Sequence, residues 1–439
     1  MDENFLTKIV IVSLFIITFF VLPKNLVKKV SKRDVNKRPL IVFWKKPWKG
    51  FDRFLGVEFC DENGVFECDI KYGRNFELIE KADAVMIHPV FSELEKNGSN
   101  FFKKGMLNLV EKIRKPEQLY IFAQWESPEF HRGDYNYMNG FFNGTMTYLP
   151  DEYLGNSEFN FWFPYDSIGS IKLKALLDEK LTKQLESEKF YKENSYKQAT
   201  FDANFKELDF PEKKYDVAAV VSHCRSIYRN NLIKNLKREM NGNIDLYGEC
   251  FINELNNSRA QKLSKIYLNR SNKLNFDKYQ DLFDLLKQYK FYLAFENSRC
   301  EYYISEKIFE NSILTRTVPI VAGASRYQYE KLVPKSAFIH VDDFESMKQL
   351  SNYIKYLLKN GTAYMEYFDW HSETDPNIQL ATVESFRNTG ICKLCKQLKQ
   401  MDKKHHFTVK NIHSFWYGEN GDRCKPVRNR PGQKYIETN

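Results

Sequence analysis

Hydrophobic runs about the length of a β-strand recur through this chain, set apart by stretches with helical spacing. Leu40-Ile41-Val42-Phe43-Trp44, Ala84-Val85-Met86-Ile87 and Leu119-Tyr120-Ile121-Phe122-Ala123 are apolar without interruption, and 101–115 reads as a helix between the last two. Unbroken apolar runs mark strands buried on both faces, and strands separated by helices build parallel βαβ units. A second series opens at Tyr215-Asp216-Val217-Ala218-Ala219-Val220-Val221. It continues through a helix over 226–239, a strand at Ile244-Asp245-Leu246-Tyr247 ending at Gly248, and a helix over Gln280–Tyr289. The strand Phe291-Tyr292-Leu293-Ala294-Phe295, a helix over 305–314 and the strand Val318-Pro319-Ile320-Val321 complete it. The Lys/Glu-rich stretch 171–214 has few core residues and joins the two series. The pattern predicts an α/β protein of two Rossmann-like domains facing a cleft, with ligands at the carboxyl ends of the strands.

The longest apolar run lies at the N-terminus. From Ile9 to Leu22 only Ser13 and Thr18 are polar, and extending back to Phe5 gives a segment just long enough to span a bilayer. No small-x-small cleavage site follows, so 5–22 is expected to be a retained transmembrane signal-anchor, with 23–38 as a stem. The short span suits a thin membrane early in the secretory route. Two signals then disagree about orientation. Lys24, Lys28, Lys29, Lys32, Arg33, Lys37 and Arg38 follow the segment while Asp2 and Glu3 precede it, which by the positive-inside rule puts the bulk of the chain in the cytosol. Sequons at Asn97, Asn143, Asn256, Asn269 and Asn360, together with an even count of eight cysteines, point instead to the lumen. The lumenal placement is the one adopted.

Composition narrows the function. With 439 residues, 43% hydrophobic and 28% charged, the chain has material for two packed cores. The net charge of +9 comes from Lys and Arg spread along the whole length, without the clustered footprint of a nucleic-acid binder. Anionic small molecules, sugar nucleotides among them, fit better. No G-x-x-x-x-G-K-S/T phosphate loop and no G-x-S-x-G elbow is present, which excludes P-loop and α/β-hydrolase chemistry.

The candidate chemistry gathers at strand ends. Glu126, in Gln124-Trp125-Glu126-Ser127-Pro128, follows an apolar strand and is placed to act as a general base, although position alone favours a surface turn acid before a proline. Arg225 and Arg229 flank the start of the helix that Ser226 can cap. A cation in a helix's first turn opposes the macrodipole, a cost that a bound pyrophosphate reverses. Lys307 poses the same problem in Ser305-Glu306-Lys307. Glu296 and Asn297 end a buried strand and can hold sugar or ribose hydroxyls. Cys392-x-x-Cys395 with His405, His406 and His413 admits zinc, but the spacing favours a disulfide.

From Tyr289 to Trp370 the sequence resembles the donor-binding region of the animal α1,3-fucosyltransferases, glycosyltransferase family 10. The residues that carry the resemblance are Phe291–Ser298, Tyr303-Ile304-Ser305-Glu306-Lys307, Val318–Val321, Ala324-Ser325-Arg326-Tyr327 through Glu330, and Phe338–Phe344. Val220-Val221-Ser222-His223-Cys224 with Arg229, and Trp125-Glu126-Ser127-Pro128, are similar to further family motifs. Cys392-x-x-Cys395 resembles the family's closing cysteine pair, which implies a disulfide, with Cys424 a further candidate.

The resemblance implies a GT-B fold and a type II Golgi membrane enzyme, with an acceptor-side domain over 39–200, a GDP-fucose-binding domain over 215–365 and a C-terminal tail over 366–439. It implies transfer of fucose from GDP-fucose to a glycan on glycoprotein or glycolipid with inversion, Glu126 serving as base. Arg229, Tyr303, Glu306 and Lys307 would contact the donor, and Glu296 and Asn297 would orient it. No cofactor or divalent metal is implied. The acceptor is expected to be the GlcNAc of a terminal LacNAc-type unit, with core fucosylation of N-glycans and a silent glycan-binding protein as alternatives. The sequence departs from the family at Asn143-Gly144-Thr145-Met146-Thr147-Tyr148-Leu149-Pro150-Asp151, where the usual tryptophan and arginine are absent. A glycan on Asn143 would be expected to crowd the cleft.

Overall fold

The computed structural model describes residues 38–47, 60, 66–88, 104–130, 133–150, 153–154, 158–161, 213–248, 250–251, 282–313, 315–371, 390–401 and 407–424. The expected anchor 5–22, the stem before Arg38, most of the 171–214 joining stretch, His405, His406 and the sequons at Asn97, Asn256 and Asn269 lie outside those residues. Among the described residues no helix is long and apolar enough to cross a membrane.

Among the described residues two five-stranded sheets form, parallel at every pairing. The first contains β1 (Leu40–Phe43), β2 (Asp69–Tyr72), β3 (Ala84–Ile87), β4 (Leu119–Gln124) and β5 (Gly144–Thr147), in the order β2-β1-β3-β4-β5. Helices α1 (Phe76–Lys81) and α2 (Lys104–Ile113) precede β3 and β4. The second contains β6 (Tyr215–Val220), β7 (Asp245–Tyr247), β8 (Tyr289–Phe295), β9 (Val318–Ala322) and β10 (Ile339–His340), in the order β10-β9-β8-β6-β7. Its helices are α3 (Ile227–Glu239), α4 (Glu306–Ile308), α5 (Arg326–Glu330), α6 (Met347–Lys359) and α7 (Gly361–Met365). The 305–314 segment is not one α-helix: α4 is a single turn, and Phe309–Ile313 continue in π geometry. Of the described residues in the 280–289 stretch, 282–286 are helical, and β8 begins at Tyr289.

Period-2 alternation sends successive strand residues to opposite faces. On one face of the first sheet Ile41, Met86, Ile121 and Ala123 pack against Ile391, Leu394 and Leu398 of α8 (Gly390–Gln400). On the other, Val42, Val85, Tyr120 and Phe122 pack against Ile412, Phe415 and Trp416 of α9 (Ile412–Tyr417). Residues 390–401 and 407–424 thus return to cover both faces of the N-terminal sheet. In the second sheet Val217, Ala219, Leu293 and Ile320 meet Leu232 and Leu236 of α3 and Leu350 and Ile354 of α6. Ala218, Tyr292, Ala294 and Val321 meet Ile304, Ile308 and Phe309 on its other face.

All eight cysteines are disulfide-bonded. Cys392 and Cys395 each form a bridge, but not with one another: Cys392 joins Cys60 and Cys395 joins Cys68, at sequence separations of 332 and 327. The zinc alternative is thereby removed. Cys224–Cys250 closes the β6–β7 crossover, and Cys300–Cys424 ties the loop after β8 to the residues following α9. Covalent closure of loops this long restricts the unfolded chain far more than a local bridge does.

Candidate functional site

In an open parallel sheet the ligand crevice opens where the strand order reverses. In the second sheet that point lies between β6 and β8, which leave the sheet at Val221-Ser222-His223 and at Glu296-Asn297-Ser298. Ser226 joins the two strand ends. Its buried hydroxyl donates to the Asn297 carbonyl at 2.6 Å and accepts from the Arg229 backbone N–H at 3.2 Å, so one oxygen caps α3 and ties it to β8. The cap puts Arg229 in the first turn, where its side chain is only 3% exposed. The guanidinium donates to the His223 carbonyl at 2.5 Å, while its Nε has no protein hydrogen-bond partner among the described residues. Burial lowers the Arg229 pKa, with Glu296 pulling the other way. A buried arginine with an open donor suits a ligand anion.

Glu296 is fully enclosed. Its carboxylate accepts from the Ser305 backbone N–H at 2.7 Å, from the Ser305 hydroxyl at 2.8 Å and from the Lys307 ammonium at 3.1 Å. Lys307 also donates to the Ser305 hydroxyl at 2.6 Å and to Glu306 at 3.3 Å. Burial raises the Glu296 pKa, and Lys307 opposes that shift. Burial works against the Lys307 ammonium, but Glu296 and then Glu306 outweigh it and hold its pKa above the usual lysine value. For Glu306 burial pushes upward and Lys307 pulls further down, leaving its pKa low; the side chain itself is 44% exposed. Gly323, just past β9, has φ +149, and a Cβ there would sit 2.8 Å from the Glu296 Cβ. Only glycine lets the backbone lie this close to the carboxylate.

The first sheet brings Glu126 to this cluster. Gln124, at the end of β4, accepts from the Trp125 and Glu126 backbone N–H groups and fixes the turn. The half-buried Glu126 carboxylate receives the Tyr303 hydroxyl at 2.5 Å and the Asn297 amide at 3.0 Å, both from the second half of the molecule. Beside it the Ser127 and Ser298 hydroxyls meet at 2.6 Å, fully buried. Glu126, Arg229, Glu296, Asn297, Tyr303, Glu306 and Lys307 thus converge on the end of β8. Within the cluster Asn297 and Tyr303 hold the Glu126 carboxylate, and Lys307 is engaged by Glu296. Arg225 does not share the burial of Arg229 and lies exposed.

Sequence reasoning assigned no role to Ser127, Ser298 or His223. His223 follows β6 at the switch point, with its ring edge-on to Phe130 at 4.7 Å. Burial lowers its pKa; Glu126 opposes the shift, and Arg229, Arg225 and Lys307 add to it. Its place after a strand end was the available signal. The buried serine pair left none, because the partners are 171 residues apart.

The sequon at Asn143 is corrected by its surroundings. Its side chain is 5% exposed; Oδ1 accepts from the Tyr120 backbone and from Arg114, and Nδ2 donates to the Phe407 carbonyl. It stands at the amino end of β5, level with Tyr120, whereas Glu126 follows the carboxyl end of β4. A glycan there has no room and would not reach the cleft. Asn360 is half-exposed and caps α7. Gly144 occupies the same far end, where a Cβ would meet the Phe159 carbonyl oxygen at 2.3 Å. The missing tryptophan therefore reflects close packing of the 159–161 segment.

Comparison with known proteins agrees with this geometry. A family model described as "Glycosyltransferase family 10 (fucosyltransferase) C-term" matches residues 210–416, and one described as "Fucosyltransferase, N-terminal" matches 36–152, so each sheet falls within a match. A 4-galactosyl-N-acetylglucosaminide 3-alpha-L-fucosyltransferase of Homo sapiens is 28% identical over 370 residues, covering 82% of this chain and 79% of its own length. The 4-galactosyl-N-acetylglucosaminide 3-alpha-L-fucosyltransferase 9 of Mus musculus is 27% identical, covering 88% of this chain and 84% of its own. A crystal structure of an α1,3-fucosyltransferase shares the fold with a TM-score of 0.51 at 18% identity, over 85% of this chain and 94% of that one.

Proposed function

We propose that this chain, which belongs to glycosyltransferase family 10, the fucosyltransferases, transfers L-fucose from GDP-β-L-fucose to a GlcNAc hydroxyl of a glycoprotein or glycolipid glycan, in α1,3 linkage and with inversion. The observation that carries this reading is the pairing, at one strand end, of an oriented carboxylate with a buried guanidinium whose Nε is open. Glu126 takes the proton of the acceptor hydroxyl as that oxygen bonds to the anomeric carbon of fucose. The bond from that carbon to the diphosphate breaks, and its electron pair leaves on GDP. Arg229 stabilises the departing charge, assisted by Lys307 where Glu296 and Glu306 leave it within reach. With cations in that role, no divalent metal is required, and activity is expected to persist in a chelator.

The acceptor proposed is a terminal LacNAc-type unit, supported by relatives whose names describe 4-galactosyl-N-acetylglucosaminide acceptors. The departures at Asn143 and Gly144 lie away from the cleft and lend no support to a silent glycan-binding protein. The proposed location is the Golgi membrane, single-pass, with the catalytic unit in the lumen. Complete disulfide pairing supports an oxidising compartment.

The test is transfer of labelled fucose from GDP-fucose by the full chain, with a LacNAc oligosaccharide and a GlcNAc-terminated N-glycan offered side by side. Transfer to LacNAc is expected. Transfer to the N-glycan core alone replaces the acceptor assignment, and GDP-fucose binding without transfer to either removes the enzymatic reading.

A further inference from the structure

The turn that leads into α4 is strained, and it is held from outside the second sheet. The Tyr303 backbone N–H donates to the Cys300 carbonyl at 3.3 Å, closing a turn over Glu301 and Tyr302. Tyr302 sits there at φ +55, in the left-handed region, where a tight turn ordinarily takes glycine. A bulky residue keeps that conformation only where its surroundings impose it. The imposing groups come from the C-terminal segment and from the first half of the molecule. Cys300 is bridged to Cys424, and the Glu301 backbone N–H donates to the Arg423 carbonyl at 2.9 Å. The Arg423 guanidinium donates to Glu301 Oε2 at 2.7 Å, and the Tyr153 hydroxyl donates to the same oxygen at 3.1 Å. The Tyr153 ring lies edge-on to Tyr302 at 5.7 Å, with the guanidinium over its face at 4.4 Å.

Arg423 has a second grip. Its side chain is 8% exposed and donates to the Phe415 carbonyl at 2.8 Å and to the Ser414 carbonyl at 3.3 Å, both in α9. That helix is fixed to the first sheet, where Trp416 meets Phe122 of β4 edge-on at 5.5 Å. One buried fork therefore ties the turn before Ser305, Glu306 and Lys307 to the sheet whose strand β4 leads to Glu126. A guanidinium can do this because its donors leave one rigid plane in several directions, which an ammonium cannot match.

We infer that Arg423 is a positioning residue for fucose transfer. It acts through Glu301 and the Tyr302 turn on the loop that presents Tyr303, Glu306 and Lys307 to the donor. This rests on the reading of that loop as part of the donor site. The Cys300–Cys424 bridge fixes the start of the turn, and Arg423 holds the residue after it by both backbone and side chain. Without the fork the turn is free to leave the left-handed region, and Tyr303 and Ser305 shift with it. Reacting groups need alignment far finer than folding does, so a small shift costs rate before it costs the fold.

The experiment measures kcat/KM for GDP-fucose on the full chain, per active molecule counted by GDP-binding stoichiometry, alongside the denaturant midpoint. Arg423→Met keeps the apolar stem and removes the fork; it is expected to lose about tenfold. Glu301→Gln removes the charge at the other end and is expected to lose about fivefold. Both act on one contact, so the double variant is expected to lose about tenfold rather than the roughly fiftyfold of independent effects. Arg423→Lys keeps the cation without the fork and is expected to lose only about threefold. Should Arg423→Met not fold, Tyr153→Phe with Glu301→Gln carries the same cycle, because both meet at Glu301 Oε2. An unchanged kcat/KM in Arg423→Met with a lowered midpoint makes the arginine structural alone and overturns the inference, as does a double variant whose losses multiply. Arg229→Met separates the two readings: unchanged GDP affinity in that variant sinks the donor-site reading itself, whatever Arg423 does.

Discussion

The carboxyl edges of the two sheets are built from different materials. On the first sheet β1, β3, β4 and β5 run directly into Trp44, His88, Trp125 and Tyr148, and His88 stacks on Trp125 at 5.4 Å. One carboxylate, Glu126, stands among these rings. On the second sheet β7 and β9 run into Gly248 and Gly323, both at positive φ, and β8 runs into the buried Glu296. Small residues there draw backbone and charge together, so that Glu296, Ser305 and Lys307 form one enclosed network beside Arg229. The difference follows the partners each edge would meet. A diphosphate brings fixed charge and rewards cations held in advance in a dry site. A sugar hydroxyl is neutral and asks for one oriented base between apolar walls.

The contrast can be broken most sharply at Glu296. Glu296→Gln leaves the enclosed Lys307 short of its main counter-charge and is expected to lower unfolding free energy by about 3 kcal/mol, read by denaturant titration. A tolerated substitution would mean that charge does not hold the donor edge. Arg229→Met removes the open donor and is expected to weaken GDP binding about 100-fold by calorimetry, roughly two charge-assisted hydrogen bonds. On the first sheet Asn143→Gln should cost about 1–3 kcal/mol by unhooking buried hydrogen bonds. It should leave the number of N-glycans unchanged on a mobility gel, whereas Asn360→Gln should remove one.

The smallest effect concerns Lys213, before β6, which donates to the Lys287 and Thr315 carbonyls. Burial pushes its pKa down to about 7, with Arg316 and Lys287 adding to the shift. Between about pH 7 and the ordinary lysine pKa the unfolded chain holds a proton the folded one has released, so this group makes stability rise with pH. Below about pH 7 the folded state carries the full cost of the charge. The slope is at most about 1.4 kcal/mol per pH unit, and Lys213→Met should flatten it.

What could be read from sequence followed burial. Strands β1, β3, β4, β8 and β9 are apolar throughout or nearly so, and they announced themselves. The edge strand β2, Asp69-Ile70-Lys71-Tyr72, alternates exposed and half-buried residues and has no apolar run to mark it. Strand β5 hid for another reason: Gly144, Thr145 and Thr147 are polar or small yet wholly buried, satisfied by neighbours distant in sequence, such as Asn160. Apart from Tyr303, which lies in the loop between β8 and α4 and came only from the family resemblance, the site residues were legible because each sits at a strand end or in a helix's first turn. Their pairing was not, since Tyr303 and Glu126 are 177 residues apart and only the fold brings them together. The return of α8 and α9 to the first sheet was hidden in the same way. A CxxC motif says that cysteines pair, while Cys60 and Cys68 as partners belong to three-dimensional proximity.

The most direct test of this division of labour measures GDP-fucose binding and fucose transfer on one preparation of Glu126→Gln. The account predicts binding equal to the parent chain and transfer lowered by about 100-fold or more. Transfer at the parental rate, or loss of binding together with transfer, would contradict it.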